Sequence, residues 1–306
     1  CLKMLLMRNG WSWFTKRLIQ GQSYSTTTIP STIDVSSKSN GVYIVQLNRE
    51  DKRNAISLDM WLSLGEIFQQ LNEQSDCRAV VLSAKGDHFS AGIDLAMLAS
   101  LAPQGDDPAR VALKLRQHIG RFQKAFSALE ACNKPVIATI QGHCIGAGVD
   151  LVSAADIRIA ENSAKFSIKE VQVGLAADVG TLQRFPKQVS NDSWCRELAF
   201  TGRFFDAKEA HQYGFVSRIV EQGQGQQVGI ELASDIAKYS PIAVYSTKRV
   251  LNYSRDHSVE EGLDFVANWN MSMLQTQDLG INMVATMQKV EPKFENLYPL
   301  EDDNSD

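Results

Sequence analysis

The sequence predicts an α/β fold in which strand–strand–helix units wind into a spiral and a helical tail follows. Three observations predict it. Short apolar, β-rich runs occur at 42–47, 79–84 and 135–140, each bounded by turn residues. Two of them lead into glycine-bearing loops that open helices, one at Ser90–Leu95 and one from about Ala147. Beyond Asp206 the pattern turns almost purely helical. A chain of 306 residues suits one large domain or two small ones, and 44% hydrophobic residues give ample material for a core. The net charge of −4 argues against a nucleic-acid surface spread over the whole protein. Five scattered cysteines without CxxC spacing read as free thiols in a reducing compartment. No apolar run reaches the length of a membrane span.

Taken in order, residues 1–33 stand apart. They carry Lys3, Arg8, Lys16 and Arg17, many Ser and Thr, and no acid before Asp34. That is the composition of a mitochondrial transit peptide. The chain ends Asn304-Ser305-Asp306, not in a Ser-Lys-Leu type peroxisomal signal, so a mitochondrial matrix location is expected. The core is expected over 34–230, a helical assembly region over 231–290 and an acidic tail over 291–306. Ser57 is placed to cap a helix over 58–74 with Trp61, Leu64, Ile67, Phe68 and Leu71 on one face. Asp107 and Pro108 mark the start of another, which puts Leu115, Ile119, Phe122, Phe126 and Leu129 together. Asp206 with Glu209, and Ser258 with Glu261, have capping-box spacing, and Gly214 is a stop. Trp269, Met271, Met273 and Leu274 read as core or as an interface between copies.

The stretch from Cys132 to Asp178 carries the chemistry. An apolar run, Pro135–Ile140, leads to a loop with Gly142, Gly146 and Gly148. Glycines at a strand-to-helix junction let the backbone approach a ligand and leave N–H groups free. Asp150 falls in the first turn of the helix that follows. Glu170 comes 20 residues later and Asp178 another 8, both among apolar neighbours. Any one of them alone would read as a surface acid or a cap.

Together with AVVLSAKGDHFSAGIDLAML at 79–98, this stretch resembles the crotonase superfamily, the enoyl-CoA hydratase/isomerase family. Within it the chain is most similar to the dienoyl-CoA isomerases, which shift a 3,5-diene to a 2,4-diene. GVDLVSAADIR, KEVQVGLAADVGTLQRFPK and YSRDHSVEEGLDFVANWNMSMLQTQDL carry that likeness, within a resemblance running from Val42 to Lys289. It implies a crotonase-like spiral of ββα units whose C-terminal helices assemble trimers that pair into hexamers. It implies an acyl-CoA thioester as substrate, with the thioester oxygen held by the amides of Ile93 and Ala147. Pre-aimed donors of this kind are worth roughly 3–4 kcal/mol each when removed. Most relatives carry glycine where Ala147 stands, so its methyl is a departure; the helix dipole behind it would aid the same oxygen. Gly92, Ile93, Asp94, Leu95, Ala96 and Gly148 are the implied substrate contacts. Lys52, Arg53, Ala55 and Ala91 are expected near the CoA moiety.

The acids divide the possible reactions. Hydration needs two carboxylates on one water, matching Asp150 and Glu170. A dienoyl shift takes a proton at C2 and returns one at C6, roughly 5 Å away along an extended chain. Two carboxylates on opposite sides of the pocket meet that demand better than one, and Asp178 is the extra acid where hydratases typically have glycine. Glu170 is expected near C2 and Asp178 near C6, with Asp150 orienting its neighbours. Three acids in an apolar pocket cannot all ionise freely, so at least one is expected to hold its proton to unusually high pH. No metal cluster, dinucleotide fingerprint or Walker motif occurs, and this chemistry needs no cofactor beyond the CoA of the substrate. The rivals are a hydratase, an RNA-binding relative and an inactive scaffold. The helix LDMWLSLGEIFQQLNEQSD has no Lys or Arg to serve the second, and the intact acid trio argues against the third.

Overall fold

Side chains buried on both faces of a few parallel strands organise the molecule. The computed structural model describes residues 32–100 and 105–297. The chain enters as β1 (Ile33–Ser37), antiparallel to β2 (Val42–Leu47). After α1 (Leu58–Glu73) comes β3 (Ala79–Ala84), parallel to β2. Ser57 caps α1 by accepting the Met60 amide. The short α2 (Leu95–Ser100) precedes α3 (Pro108–Ala131), capped by Asp107. Then follow β4 (Val136–Ile140), β5 (His143–Ile145) and α4 (Ala147–Ser153). Next are β6 (Ile157–Glu161), β7 (Lys165–Ser167), a 3-10 turn at Glu170–Val173 and α5 (Thr181–Arg184).

A second helical stretch has α6 (Asp192–Thr201), β8 (Phe205–Asp206), α7 (Ala207–Gln212) and β9 (Arg218–Val220). The last helices are α8 (Gly225–Ala237), α9 (Pro241–Ser254), α10 (Val259–Met273) and α11 (Asp278–Gln288). One sheet runs β1-β2-β3-β4-β6-β9 and a smaller one β5-β7-β8. Strand β3 is buried at every residue, as a central parallel strand must be. Val80 and Leu82 join the large core with α1 and α3. Ala79 and Val81 join Val42, Ile44, Ile137 and Ile159 under α8. Cys77, Cys132, Cys144 and Cys195 are free and buried. No helix of the described residues is long and apolar enough to cross a membrane.

Three expected boundaries shift. Strand β1 begins at Ile33, whose side chain is 2% exposed, so the core starts there; of the leader expected over 1–33, residues 1–31 lie outside the described residues. A boundary at 230/231 would cut α8, which seals one face of the main sheet with Val228, Ile230 and Ala233 and so belongs to the core. Part of the acidic tail is fastened to the core as well: Arg78 donates to the carbonyls of Phe294 and Glu295 at 2.8 and 3.0 Å. Of the two capping boxes, Ser258–Glu261 is reciprocal. Glu209 instead turns its carboxylate to Arg203 and Trp194, while Asp206 still accepts the Glu209 amide.

Candidate active site

The loop after β3 is clamped from two sides. Ser90 N donates to His143 O at 2.9 Å and Ile145 N to Ser90 O at 3.0 Å. On the other flank, Ile56 N donates to Gly92 O at 2.7 Å and Asp94 N to Ile56 O at 3.0 Å. Gly92 has φ +96, and a Cβ there would sit 2.9 Å from Ile145 O and 3.9 Å from Ala147 N. Only glycine lets the Gly92–Ile93 backbone come this close to the start of α4. Among the hydrogen bonds of the described residues, none uses the amide of Ile93 or of Ala147 as donor. Both residues line one cavity of about 380 Å³.

That cavity is walled by apolar side chains, including Trp61, Leu95, Leu98, Ile119 and Phe122, and it also holds Asp150, Glu170 and Asp178. Asp150 is delivered by the first turn of α4, whose seven residues are all buried. Its Oδ1 accepts the Thr181 amide at 2.6 Å, while Oδ2 is buried without a partner. Glu170 opens the 3-10 turn; its Oε2 is likewise buried and unpartnered. Asp178 hangs on the loop between Gly174 and Gly180 and is the most exposed of the three. Its carbonyl accepts Gln123 Nε2 at 2.7 Å, which ties the loop to α3.

The electrostatics follow from this geometry. Burial pushes Asp150 up to about 6, and nearby Asp178 adds to that, while the Thr181 amide and Arg184 oppose it. Burial, reinforced by Asp150, pushes Glu170 up to about 8. The Asp150–Glu170 pair titrates jointly, so those values belong to the two together. Partial burial raises Asp178 as well, even at the open rim. The site therefore keeps protons near neutral pH, where acid–base catalysts work best.

Other expected site residues take up other positions. Gly92, Ile93, Leu95 and Ala91 line the cavity, whereas Asp94, Ala96, Gly148, Lys52, Arg53 and Ala55 do not. Asp94 pairs with Arg49 at 2.5 Å and accepts the Ala96 amide at 2.8 Å, fixing the loop from behind. Gly148 packs against Ser90, where a Cβ would meet the Ser90 Cβ at 3.1 Å. Lys52 and Arg53 are exposed on a turn beside the cavity wall; Arg53 O accepts the Ala91 amide at 2.9 Å. His118 and Lys169 line the cavity without having been anticipated. Lys169 directly precedes Glu170, a proximity the sequence displayed; His118 could have been found one turn before Phe122 on α3. Among the described residues, no cluster of His, Cys, Asp and Glu is arranged to hold a metal ion.

The family model for enoyl-CoA hydratase/isomerase matches residues 37–297. The chain belongs to the enoyl-CoA hydratase/isomerase family. Among members of this family, a mitochondrial Δ(3,5)-Δ(2,4)-dienoyl-CoA isomerase of Rattus norvegicus is 52% identical over 264 residues. That alignment covers 85% of this chain and 81% of the relative. A peroxisomal protein of the same name from Arabidopsis thaliana is 43% identical, covering 84% of this chain and 93% of the relative. The crystal structure of an enoyl-CoA hydratase from Bacillus anthracis superposes with a TM-score of 0.78 at 30% identity. It covers 86% of this chain and 99% of that structure's chain. The enoyl-CoA hydratase/isomerase fold therefore holds across the described core, including the C-terminal helices.

Proposed function

We propose that the protein isomerises 3,5-dienoyl-CoA thioesters to 2,4-dienoyl-CoA thioesters in the β-oxidation of unsaturated fatty acids. The observation that carries this reading is Asp178 at the rim of the cavity that also holds Asp150 and Glu170. The thioester oxygen accepts the amides of Ile93 and Ala147, which leaves C2 toward Glu170. Glu170 takes the C2 proton; the electron pair spreads through the diene onto the oxygen, where the two amides stabilise it. Asp178 returns a proton at C6, so the double bonds move inward and one proton has left as one has arrived. Asp150 tunes the protonation of Glu170 by raising its proton affinity. No resident cofactor is needed, because CoA belongs to the substrate.

The exposed apolar faces of α10 and α11, with Leu263, Met271, Met283 and Met287, suit burial between copies in a trimer or hexamer. Mitochondrial location follows the relative from rat and the basic leader composition. Light scattering at micromolar concentration is expected to give a trimer or hexamer, and cell fractionation a mitochondrial protein; a clean monomer or a cytosolic protein would refute these two assignments.

The Asp150–Glu170 pair could also hold a water, which favours a hydratase side activity. Purified protein given 3,5-dienoyl-CoA and 2-enoyl-CoA side by side decides between the readings. Asp178→Asn is expected to lower dienoyl isomerisation about 10²–10⁴-fold while leaving hydration largely intact. If isomerisation survives that change, Asp178 is a structural acid and the hydratase reading takes over.

A further inference from the structure

Behind the acids lies a partly buried ion cluster that the proton transfers leave unused. The side chain of Arg184, at the end of α5, is 10% exposed. Its Nη2 donates to Glu130 Oε2 at 2.9 Å and to Ser127 Oγ at 2.8 Å, and its Nε donates to Glu130 Oε2 at 3.1 Å. Glu130 also receives Arg255, which caps the end of α9. The guanidinium folds back over the start of its own helix. A Cβ on Gly180 would stand 2.0 Å from Arg184 Nη1, and Gly180 has φ +137, a conformation that side chains rarely adopt. The backbone at Gly180 thus rests directly on the guanidinium. The next amide, Thr181 N, is the one that donates to Asp150 Oδ1 at 2.6 Å, and Asp178 lies two residues before Gly180.

We propose that Arg184 is a positioning residue for proton transfer: held by Glu130 and Ser127, it clamps the Gly180–Thr181 turn and so fixes Asp150 and Asp178. The inference rests on the reading of Asp150, Glu170 and Asp178 given above. The charged and titratable groups around Asp150 are Glu170 from the 3-10 turn, Asp178 from its loop, Cys144 from β5 and Arg184 from α5, with His118 of α3 and Lys169 lining the same cavity. Arg184 is the cation whose charge favours the ionised form of Asp150. Arg184 therefore acts twice, through shape and through charge, and the two effects separate by substitution. Arg184→Lys keeps a charge and loses the planar fork that grips Glu130 and Ser127. Arg184→Gln loses both.

The test is the pH profile of dienoyl-CoA isomerisation for wild type, Arg184→Lys and Arg184→Gln, with thermal melts of each. A displaced catalytic turn is expected to lower kcat about 10–100-fold in both variants, with KM changed less than about threefold. The acid limb of kcat/KM is expected to stay at its wild-type position in Arg184→Lys. In Arg184→Gln it moves up by about one pH unit, because a carboxylate that loses a nearby cation binds its proton more tightly. Unmoved limbs, with activity falling only in proportion to the folded fraction, would make Arg184 a purely structural residue. Should Arg184→Gln not fold, Glu130→Gln decides. Freeing the guanidinium from its counter-charge moves the limb down, and an unmoved limb there overturns the proposal. A wild type inactive on the dienoyl thioester overturns the reading of the site itself. An active wild type with an unimpaired Arg184→Lys overturns only the role of Arg184.

Discussion

Glu130 and Glu170 are both partly buried glutamates, and their surroundings are opposite. Burial works against ionising Glu130, but Arg184 and Arg255 outweigh it and hold the carboxyl below its usual range. Glu170 has burial and Asp150 pushing the same way, and its Oε2 meets no donor. One glutamate is neutralised by its neighbours and serves the fold. The other is left without a cation, which costs stability and raises its affinity for the proton that it takes from C2. Asp156 and Asp150 differ in partners rather than in direction, since burial raises both carboxyls. Asp156 takes Lys248 Nζ and the Val136 amide, both at 2.7 Å, whereas Asp150 leaves an oxygen bare.

The largest break of this contrast is Glu170→Gln. It keeps the shape and removes the proton carrier near C2, so dienoyl isomerisation and any hydration are both expected to fall about 10²–10⁴-fold. Steady-state rates on the two thioesters check this, and survival of either reaction would take Glu170 out of that chemistry. Breaking the opposite member should spare chemistry less directly and cost stability more. Glu130→Ala strands Arg184 and Arg255, and a loss of about 2–3 kcal/mol, roughly 4–6 °C in melting temperature, is expected. A melting curve no different from wild type would show that solvent replaces the pair.

The smallest effect sharpens the contrast through pH. Glu170 keeps its proton up to about 8 in the folded protein, far above its value of 4.5 when unperturbed. Between those values the folded state binds more protons than the unfolded one, so stability falls as pH rises through that window. Wild type is expected to lose a few degrees of melting temperature from pH 5 to pH 8, by about 2 °C or more, and Glu170→Gln to lose less. Parallel slopes for the two proteins would mean that Glu170 is not the group that titrates.

What the amino-acid sequence made legible follows the range of the interactions. Caps at Ser57, Asp107 and Ser258 bond within three residues, so their helices could be read directly. The long motifs around Ile93, Ala147 and Asp150 carried the fold family through resemblance. The expected boundary at 230/231 fell inside α8 because strands β2, β3, β4 and β6, which it covers, lie 60 or more residues earlier in the chain. The Glu130–Arg184–Arg255 cluster was invisible for the same reason, joining α3, α5 and α9 across 125 residues. Strand β1 escaped because its outer face is polar and partly exposed, with little apolar alternation to mark it. The pairing of Asp94 with Arg49 spans 45 residues and so could not be read from either motif.

The four buried cysteines have a practical consequence for experiment. Burial raises the thiols of Cys77, Cys132, Cys144 and Cys195, and thiolates are the species that react with maleimides. The folded protein, with Cys1 changed to serine, therefore offers a nearly silent background for site-directed labelling. A single cysteine introduced at Met287, on the exposed face of α11, would carry a fluorophore where a neighbouring copy is expected to land. Energy transfer between such labels would time the association of subunits directly, alongside catalysis in the same cuvette.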